Sequence, residues 1–261
     1  MKEIKGLALK LSVFAATMTA ILAMAQRATY FSPQPTKQPA RTTIEQMPAR
    51  LEIQFALSAL PVALRDQATV YLLDPAKGYQ LSRQGTSGVT CLVERTAWEQ
   101  ADFRNDIYVP LCYDAEGSKT YLKVIMDAAA LRIEGMSPGV LKAEIEKRYK
   151  NRIYSVPEKE GVSYMVAPVM RTWMLPDFRV HTMPMPHLMF YAPNATNEDI
   201  GAVPNSSISY PFIFKEGIAE QTYVIQVVGA AEKAKILADE KPLLDSLCSY
   251  RDVLCLSDKE H

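Results

Sequence analysis

The stretch ATVYLLDPAKGYQLSRQGTSGVTCLVE, residues 68–94, decides the predicted fold class. It contains three short runs rich in β-branched and aromatic residues, separated by two groups of turn-forming residues. The runs are ATVYLL (68–73), YQLSR (79–83) and VTCLVE (89–94), and the separators are DPAKG (74–78) and QGTSG (84–88). Because strands joined by short turns usually pair with their neighbours in sequence, this stretch predicts a three-stranded β-meander.

One face of the third strand carries an apolar set. Val89, Cys91 and Val93 share one strand parity, so their side chains are predicted to point the same way, into the core. The following segment, Arg95–Pro110, has no clean period and is interpreted as a loop.

The rest of the chain alternates between helical and strand patterns. Helices are predicted over 43–64, with interruptions at Pro48 and Pro61, and over 118–134. A further helix is predicted to begin after Ser137 as its N-cap, and a last one covers 230–256 with an interruption at Pro242. Further strands are predicted at VSYMVA (162–167), HLMFYA (187–192) and TYVIQVV (222–228). The predicted class is α+β, with a mainly antiparallel sheet, an inserted α-hairpin and a C-terminal helix.

The first 25 residues have the pattern of a secretory signal peptide. Three lysines precede an uncharged apolar run, LSVFAATMTAILAM (11–24), and Ala23-Met24-Ala25 matches the A-x-A cleavage pattern. The run is shorter than the roughly 20 residues that a membrane span requires, so cleavage is predicted. The polar, proline-bearing segment 26–41 is interpreted as a flexible tether and residues 42–261 as a single domain.

The charge balance excludes a strongly basic or acidic protein. Removing three lysines and one glutamate with the signal peptide from 29 basic and 29 acidic residues leaves a net charge of −2. Such a chain has no general attraction for nucleic acid or anionic lipid. We therefore expect no nucleic-acid partner and no stable membrane span after cleavage.

Four cysteines, Cys91, Cys112, Cys248 and Cys255, allow three pairings in an oxidising compartment. The preferred bridge is Cys91–Cys112, which closes a loop of about 22 residues worth about 3 kcal/mol; Cys248–Cys255 is the second. On one continuous helix the latter two lie about 10 Å apart along the axis, too far for a disulfide. Either the helix breaks between them, or they stay free or pair elsewhere.

The stretch RVHTMPMPHLMFYAP (179–193) is the strongest candidate for a metal site, since it holds two of the three histidines and three of the twelve methionines. In an extended strand, five donors of one parity would face one way: His181, Met183, Met185, His187 and Met189. Thioether and imidazole donors suit copper. However, Pro184 and Pro186 break a strand ladder. The alternative is that RVHTMPMP approaches the sheet irregularly, HLMFYA enters it as a strand, and the methionines fill the core.

An enzyme would need a nucleophile, a base and an orienting group. His187 is the first candidate, with a carboxylate from the set around the cysteine loop: Glu94, Asp102, Asp106, Asp114 and Glu116. Ser87 lies in GTSG, where a hairpin turn is the simpler interpretation. The sequence has no G-x-S-x-G elbow and no phosphate-binding glycine loop.

Several segments together resemble a group of uncharacterised exported bacterial proteins. The matching segments are ALSALP (56–61), ATVYLL (68–73), RQGTSGVTCLVER (83–95), PLCYDAEG (110–117), GVSYMVAP (161–168), PHLMFYAPNATNEDIG (186–201) and TYVIQVV (222–228). The resemblance implies that Cys91 and Cys112 belong to one framework. It includes His187 but not HTMPM (181–185), and it implies no activity.

The sequence therefore predicts an exported protein with a binding or envelope-accessory role and no cofactor. The first alternative is a small exported hydrolase that uses His187. The second is a copper-binding protein that uses the His/Met stretch 181–189.

Overall fold

The computed structural model describes residues 43–174, 177–202, 210–217 and 219–257, and these contain ten β-strands and six α-helices. The strands are β1 (Thr69–Asp74), β2 (Gly78–Arg83), β3 (Thr90–Glu94), β4 (Val109–Tyr113), β5 (Val162–Met165), β6 (Met170–Met174), β7 (Arg179–Met183), β8 (His187–Tyr191), β9 (Phe212–Phe214) and β10 (Tyr223–Val227). The helices are α1 (Ala49–Ser58), α2 (Ala115–Lys119), α3 (Tyr121–Ile133), α4 (Pro138–Lys150), α5 (Ala230–Asp239) and α6 (Lys241–Tyr250). The predicted signal peptide and tether lie outside the described residues.

Eight strands form one sheet in the order β2-β1-β3-β4-β5-β8-β10-β9. Every neighbouring pair is antiparallel except β1 and β3, which run parallel with Val70 opposite Cys91. Strands β6 and β7 form a separate hairpin, tied to the main sheet by two backbone hydrogen bonds between Tyr108 and Arg171. The predicted α+β class with a mainly antiparallel sheet is confirmed.

Within the described part of the chain, none of the helices combines the length and the hydropathy needed to cross a bilayer.

The predicted β-meander is wrong, because β3 pairs with β1 and not with β2. QGTSG (84–88) is a crossover that passes the start of β1, where Thr86 and Ser87 donate backbone hydrogen bonds to the Gln67 carbonyl. The crossover packs so closely that a Cβ on Gly85 would lie 2.2 Å from that carbonyl oxygen. Only glycine fits such an approach. The Ser87 hydroxyl also donates to Gln67, which gives this serine a structural role.

The two faces of the main sheet carry different partners. On one face, Cys91 and Val93 of β3 and Cys112 of β4 pack with α1 and α6 in one buried cluster. Cys91 and Cys112 are directly opposite in register and form a disulfide. On the other face, side chains of β4, β5, β8 and β10 pack with Leu122 and Ile125 of α3. The inward position predicted for Cys91 is confirmed, since it is fully buried.

The helices depart from the sequence prediction at their breaks. The helix predicted over 118–134 is two helices, α2 and α3, which meet at Thr120. Asp114 follows β4 and caps α2 by accepting a hydrogen bond from the Gly117 N–H at 2.8 Å. Helices α3 and α4 form the predicted α-hairpin, in which Val124 of α3 packs against Leu141 of α4.

The C-terminal segment breaks where the second cysteine pair requires it. Helix α6 ends at Tyr250, and a short 3₁₀ turn follows over Asp252–Leu254. The break brings Cys248 and Cys255 to a Cα–Cα distance of 4.4 Å, and they form the second disulfide. Both predicted cysteine pairs are therefore within disulfide distance.

RVHTMPMP is not an irregular approach, because Arg179–Met183 is strand β7 and pairs with β6. The prediction is wrong because Pro184 and Pro186 follow the strand and leave its ladder intact. HLMFYA does enter the main sheet, as β8, between β5 and β10.

Candidate functional site

A cavity of about 580 Å³ lies on the α3 face of the main sheet. Its walls come from strands β3 to β6 and β8 to β10, from α3, from Tyr149 of α4 and from the turn Trp98–Gln100. Five methionines line it: Met165, Met170, Met174, Met185 and Met189. Four tyrosines line it as well: Tyr113, Tyr121, Tyr149 and Tyr223. The wall is thus mainly apolar and aromatic, as in small-molecule sites.

Strand alternation decides which residues reach the cavity. His187 and Met189 on β8 and Tyr223 and Ile225 on β10 point toward it, while Phe190, between two inward residues of β8, is 42% exposed on the opposite face.

His187 lies in the cavity wall and is only 3% exposed. Its Nδ1 lies 2.7 Å from the Met185 carbonyl oxygen. A carbonyl can only accept, so Nδ1 carries the proton and the neutral ring keeps Nε2 as an acceptor. Burial lowers the pKa of His187 to about 4, although the bond to Met185 opposes the decrease. His187 is therefore a neutral imidazole at physiological pH.

The candidate copper ligands are divided between two sheets. His181, on β7, is exposed and its Nε2 lies 2.8 Å from Asp177. Of the predicted donors, the cavity lining includes Met185, His187 and Met189 but neither His181 nor Met183. His181 and Met183 lie on β7, which pairs with β6 in the separate hairpin, whereas His187 and Met189 lie on β8 in the main sheet. Among the described residues, no three His, Cys, Asp or Glu side chains are grouped as metal ligands.

Of the predicted carboxylates, Glu94 is the one that reaches the cavity. In the described part of the chain, no donor hydrogen-bonds to its side chain. Burial raises the pKa of Glu94 to about 8, repulsion from Glu99 adds to the increase, and attraction to Lys215 opposes it. A carboxyl group with this pKa is mostly protonated at pH 7.

Three of the other predicted carboxylates, Asp106, Asp114 and Glu116, have structural partners. Asp106 forms ion pairs with Arg104 and Arg171 at 2.7 Å, which hold the pKa of Asp106 below its usual range despite burial. Asp114 caps α2 and also accepts from Val162 and Tyr191.

Glu116 accepts a hydrogen bond from the backbone of Glu158. Asp102 lies in the loop before β4, where burial raises its pKa.

Polar residues that sequence reasoning missed complete the cavity. Lys215 Nζ lies 2.6 Å from Glu99 Oε1 and 2.8 Å from Gln221 Oε1, and it faces the ring of Trp98 at 5.8 Å. The Tyr121 hydroxyl is buried and has no hydrogen-bond partner among the described residues. No local pattern marks these residues, because they come from separate parts of the chain.

The chain matches no known family model, no curated protein and no solved structure.

Proposed function

We propose that this is an exported protein that binds a largely apolar small molecule in the cavity on the α3 face of its sheet. The observation that carries the proposal is the cavity itself, about 580 Å³ with methionine and aromatic walls. Ligand pockets typically measure about 300–1,000 Å³ and combine apolar walls with a few polar groups. This role is a specific form of the binding function predicted from the sequence.

The methionine content supports adaptable binding. Methionine is unbranched and polarisable, so its side chain adjusts to ligands of different outline. Met165 of β5 lies directly opposite His187 of β8, and Met189 follows on the same face. The floor of the cavity is thus built from flexible side chains on a rigid sheet.

Export is supported by the N-terminal pattern and is compatible with the two disulfides. Membership in the group of exported bacterial proteins that the sequence resembles is part of the same proposal. Mass determination of the N-terminus of the secreted protein tests cleavage after Ala25.

Direct binding tests the main proposal. We expect the neutral fluorescent probe N-phenyl-1-naphthylamine to bind and to brighten, and Met189→Trp to abolish binding by filling the cavity. Phe190→Trp is the matched control, since this neighbour on β8 points to the opposite face and is 42% exposed. Equal loss in both variants, or no binding by the wild type, would contradict the proposal.

The hydrolase alternative has one supporting observation, which is that His187 and Glu94 line the same cavity. His187 hydrogen-bonds to a backbone carbonyl, whereas the orienting partner in a hydrolase is usually a carboxylate. Turnover of apolar p-nitrophenyl esters that disappears in His187→Gln would favour this alternative over simple binding.

The copper alternative is supported by Met165, Met185 and Met189, which line the same cavity as His187. Soft donors of this kind suit Cu(I). Protein purified from a copper-supplemented periplasm without metal, which also fails to bind titrated Cu(I), would exclude it.

A further inference from the structure

We infer that the ligand of this cavity carries a protonated amine, and that the Glu94 carboxylate binds it. The inference rests on the proposed function, because it names the chemical class of the ligand that the cavity would hold.

The two carboxylates at the polar end of the cavity differ in whether they have a hydrogen-bond donor. Lys215, which contributes an ammonium group there, already contacts Glu99 at 2.6 Å and Gln221 at 2.8 Å. Glu94 lines the same space without a donor among the described residues. A buried carboxylate is strongly stabilised when a charged donor reaches it. What Glu94 lacks is therefore a donor, which an ammonium group of a ligand would supply.

The aromatic wall of the cavity also favours a bound cation. The Tyr121 ring lies 6.2 Å from the Tyr113 ring and 4.5 Å from the Tyr223 ring, and all three line the cavity. Aromatic faces attract ammonium groups within about 6 Å. The cavity already holds one ammonium in this way, since Lys215 faces both Trp98 and Phe214.

The electrostatic field of the acidic side chains at the cavity also favours a positive charge. Burial raises the pKa of Tyr113, and repulsion from Glu94, once Glu94 has lost its proton, and from Glu99 adds to the increase. Glu220 acts in the same direction on Tyr121, after burial. A field that opposes a phenolate also opposes a bound carboxylate and favours a cation.

The Tyr121 hydroxyl is a second polar group of the cavity wall without a partner among the described residues. The residue is 3% exposed, its ring lines the cavity, and its hydroxyl has no partner within the described residues. Buried polar groups are rarely left unsatisfied in native proteins. This hydroxyl oxygen is an unused acceptor in the aromatic wall, separate from Glu94.

Proton release would accompany amine binding. The free protein holds the Glu94 proton at neutral pH, and an ammonium partner favours the carboxylate. The groups that act on Glu94 are Glu99 and Lys215, and Glu94 in turn acts on Tyr79 of β2 and Tyr113 of β4. Affinity for the amine should thus rise with pH, by up to about tenfold per unit below pH 8.

Three ligands that differ only in head group test the inference: dodecylamine, dodecan-1-ol and dodecanoate, each displacing N-phenyl-1-naphthylamine below its micellar concentration. At pH 7 we expect the amine to bind at least roughly tenfold more tightly than the alcohol, and the acid to bind most weakly. In Glu94→Gln the amine should lose this advantage and its dependence on pH, while the alcohol and the probe still bind. Glu146→Gln, on the exposed side of α4, should behave as the wild type.

A second variant tests the charge selectivity of the cavity without substituting Glu94. Glu99→Gln frees Lys215 from its ion pair, so dodecanoate should bind more tightly than to the wild type. Equal affinity for amine and alcohol in the wild type, or an amine advantage that persists in Glu94→Gln, would overturn the inference and leave the apolar cavity as a binding site. Failure of the probe and of all three ligands to bind would overturn both.

Discussion

Substitution of Glu94 by glutamine is expected to stabilise the protein, and increasingly so at higher pH. Burial raises the pKa of Glu94 from 4.5 to about 8, so between these values the folded state keeps a proton that the unfolded state has lost. The folded state then binds more protons, and stability falls as pH rises. Glutamine resembles the protonated side chain and carries no such dependence.

The size of the effect follows from the two pKa values. One unit corresponds to about 1.4 kcal/mol, and the shift from 4.5 to about 8 therefore corresponds to about 5 kcal/mol once both states are ionised. The variant should gain about 1 kcal/mol over the wild type at pH 5, about 3 at pH 7 and about 5 at pH 9.

Urea unfolding followed by circular dichroism at the three pH values measures this gain. Glu146→Gln is the control, because its side chain is 59% exposed and its substitution should change stability by less than about 0.5 kcal/mol at every pH. A gain for Glu94→Gln that is the same at pH 5 and pH 9 would refute the reasoning, since it would mean that water solvates the Glu94 carboxylate in the folded state.

Three further predictions concern the framework and His187. Gly85→Ala should lower the free energy of unfolding by more than about 2 kcal/mol in thermal unfolding, because its Cβ would lie 2.2 Å from a backbone oxygen. Gly139→Ala is the control and should be neutral or stabilising, because the space around Gly139 is open. Equal effects of the two substitutions would contradict the crossover geometry. Joint replacement of Cys91 and Cys112 by alanine should cost about 3 kcal/mol in urea unfolding, and wild-type stability would show that the bond does not constrain the unfolded chain. The imidazole of His187 should titrate near pH 4 by NMR, and a midpoint near 6.5 that disappears in His187→Gln would mean that the ring is solvated.

Sequence patterns predicted the elements whose signals are local. Strand β8 and strand β10 alternate inward and outward residues, and Ser137 with Pro138 marks the start of α4. The Cys248 pairing was left open by the sequence, because it depends on where α6 ends. Strand β4 was missed because it is short and contains Pro110.

The strand order and the site depend on contacts that no local pattern encodes. The parallel pairing of β1 with β3 requires the crossover at Gly85, which reads in sequence as an ordinary turn. Glu94 was one of five candidate carboxylates, and its distinguishing signal was its parity, opposite to the inward Cys91. Its neighbour Lys215 is more than a hundred residues away, and the cavity between them appears only when the sheet is complete.

Alternate side chains of strands β3 and β4 face opposite sides of the sheet and have different roles. Cys91 and Cys112 face the covalent bond and the helices α1 and α6, while Glu94 and Tyr113 face the cavity. Substitutions of the cavity-facing set change the lining of the cavity and leave the disulfide between the two strands intact. Related chains that keep this disulfide should therefore vary mainly at the cavity-facing positions, which are every other residue of β3 and β4.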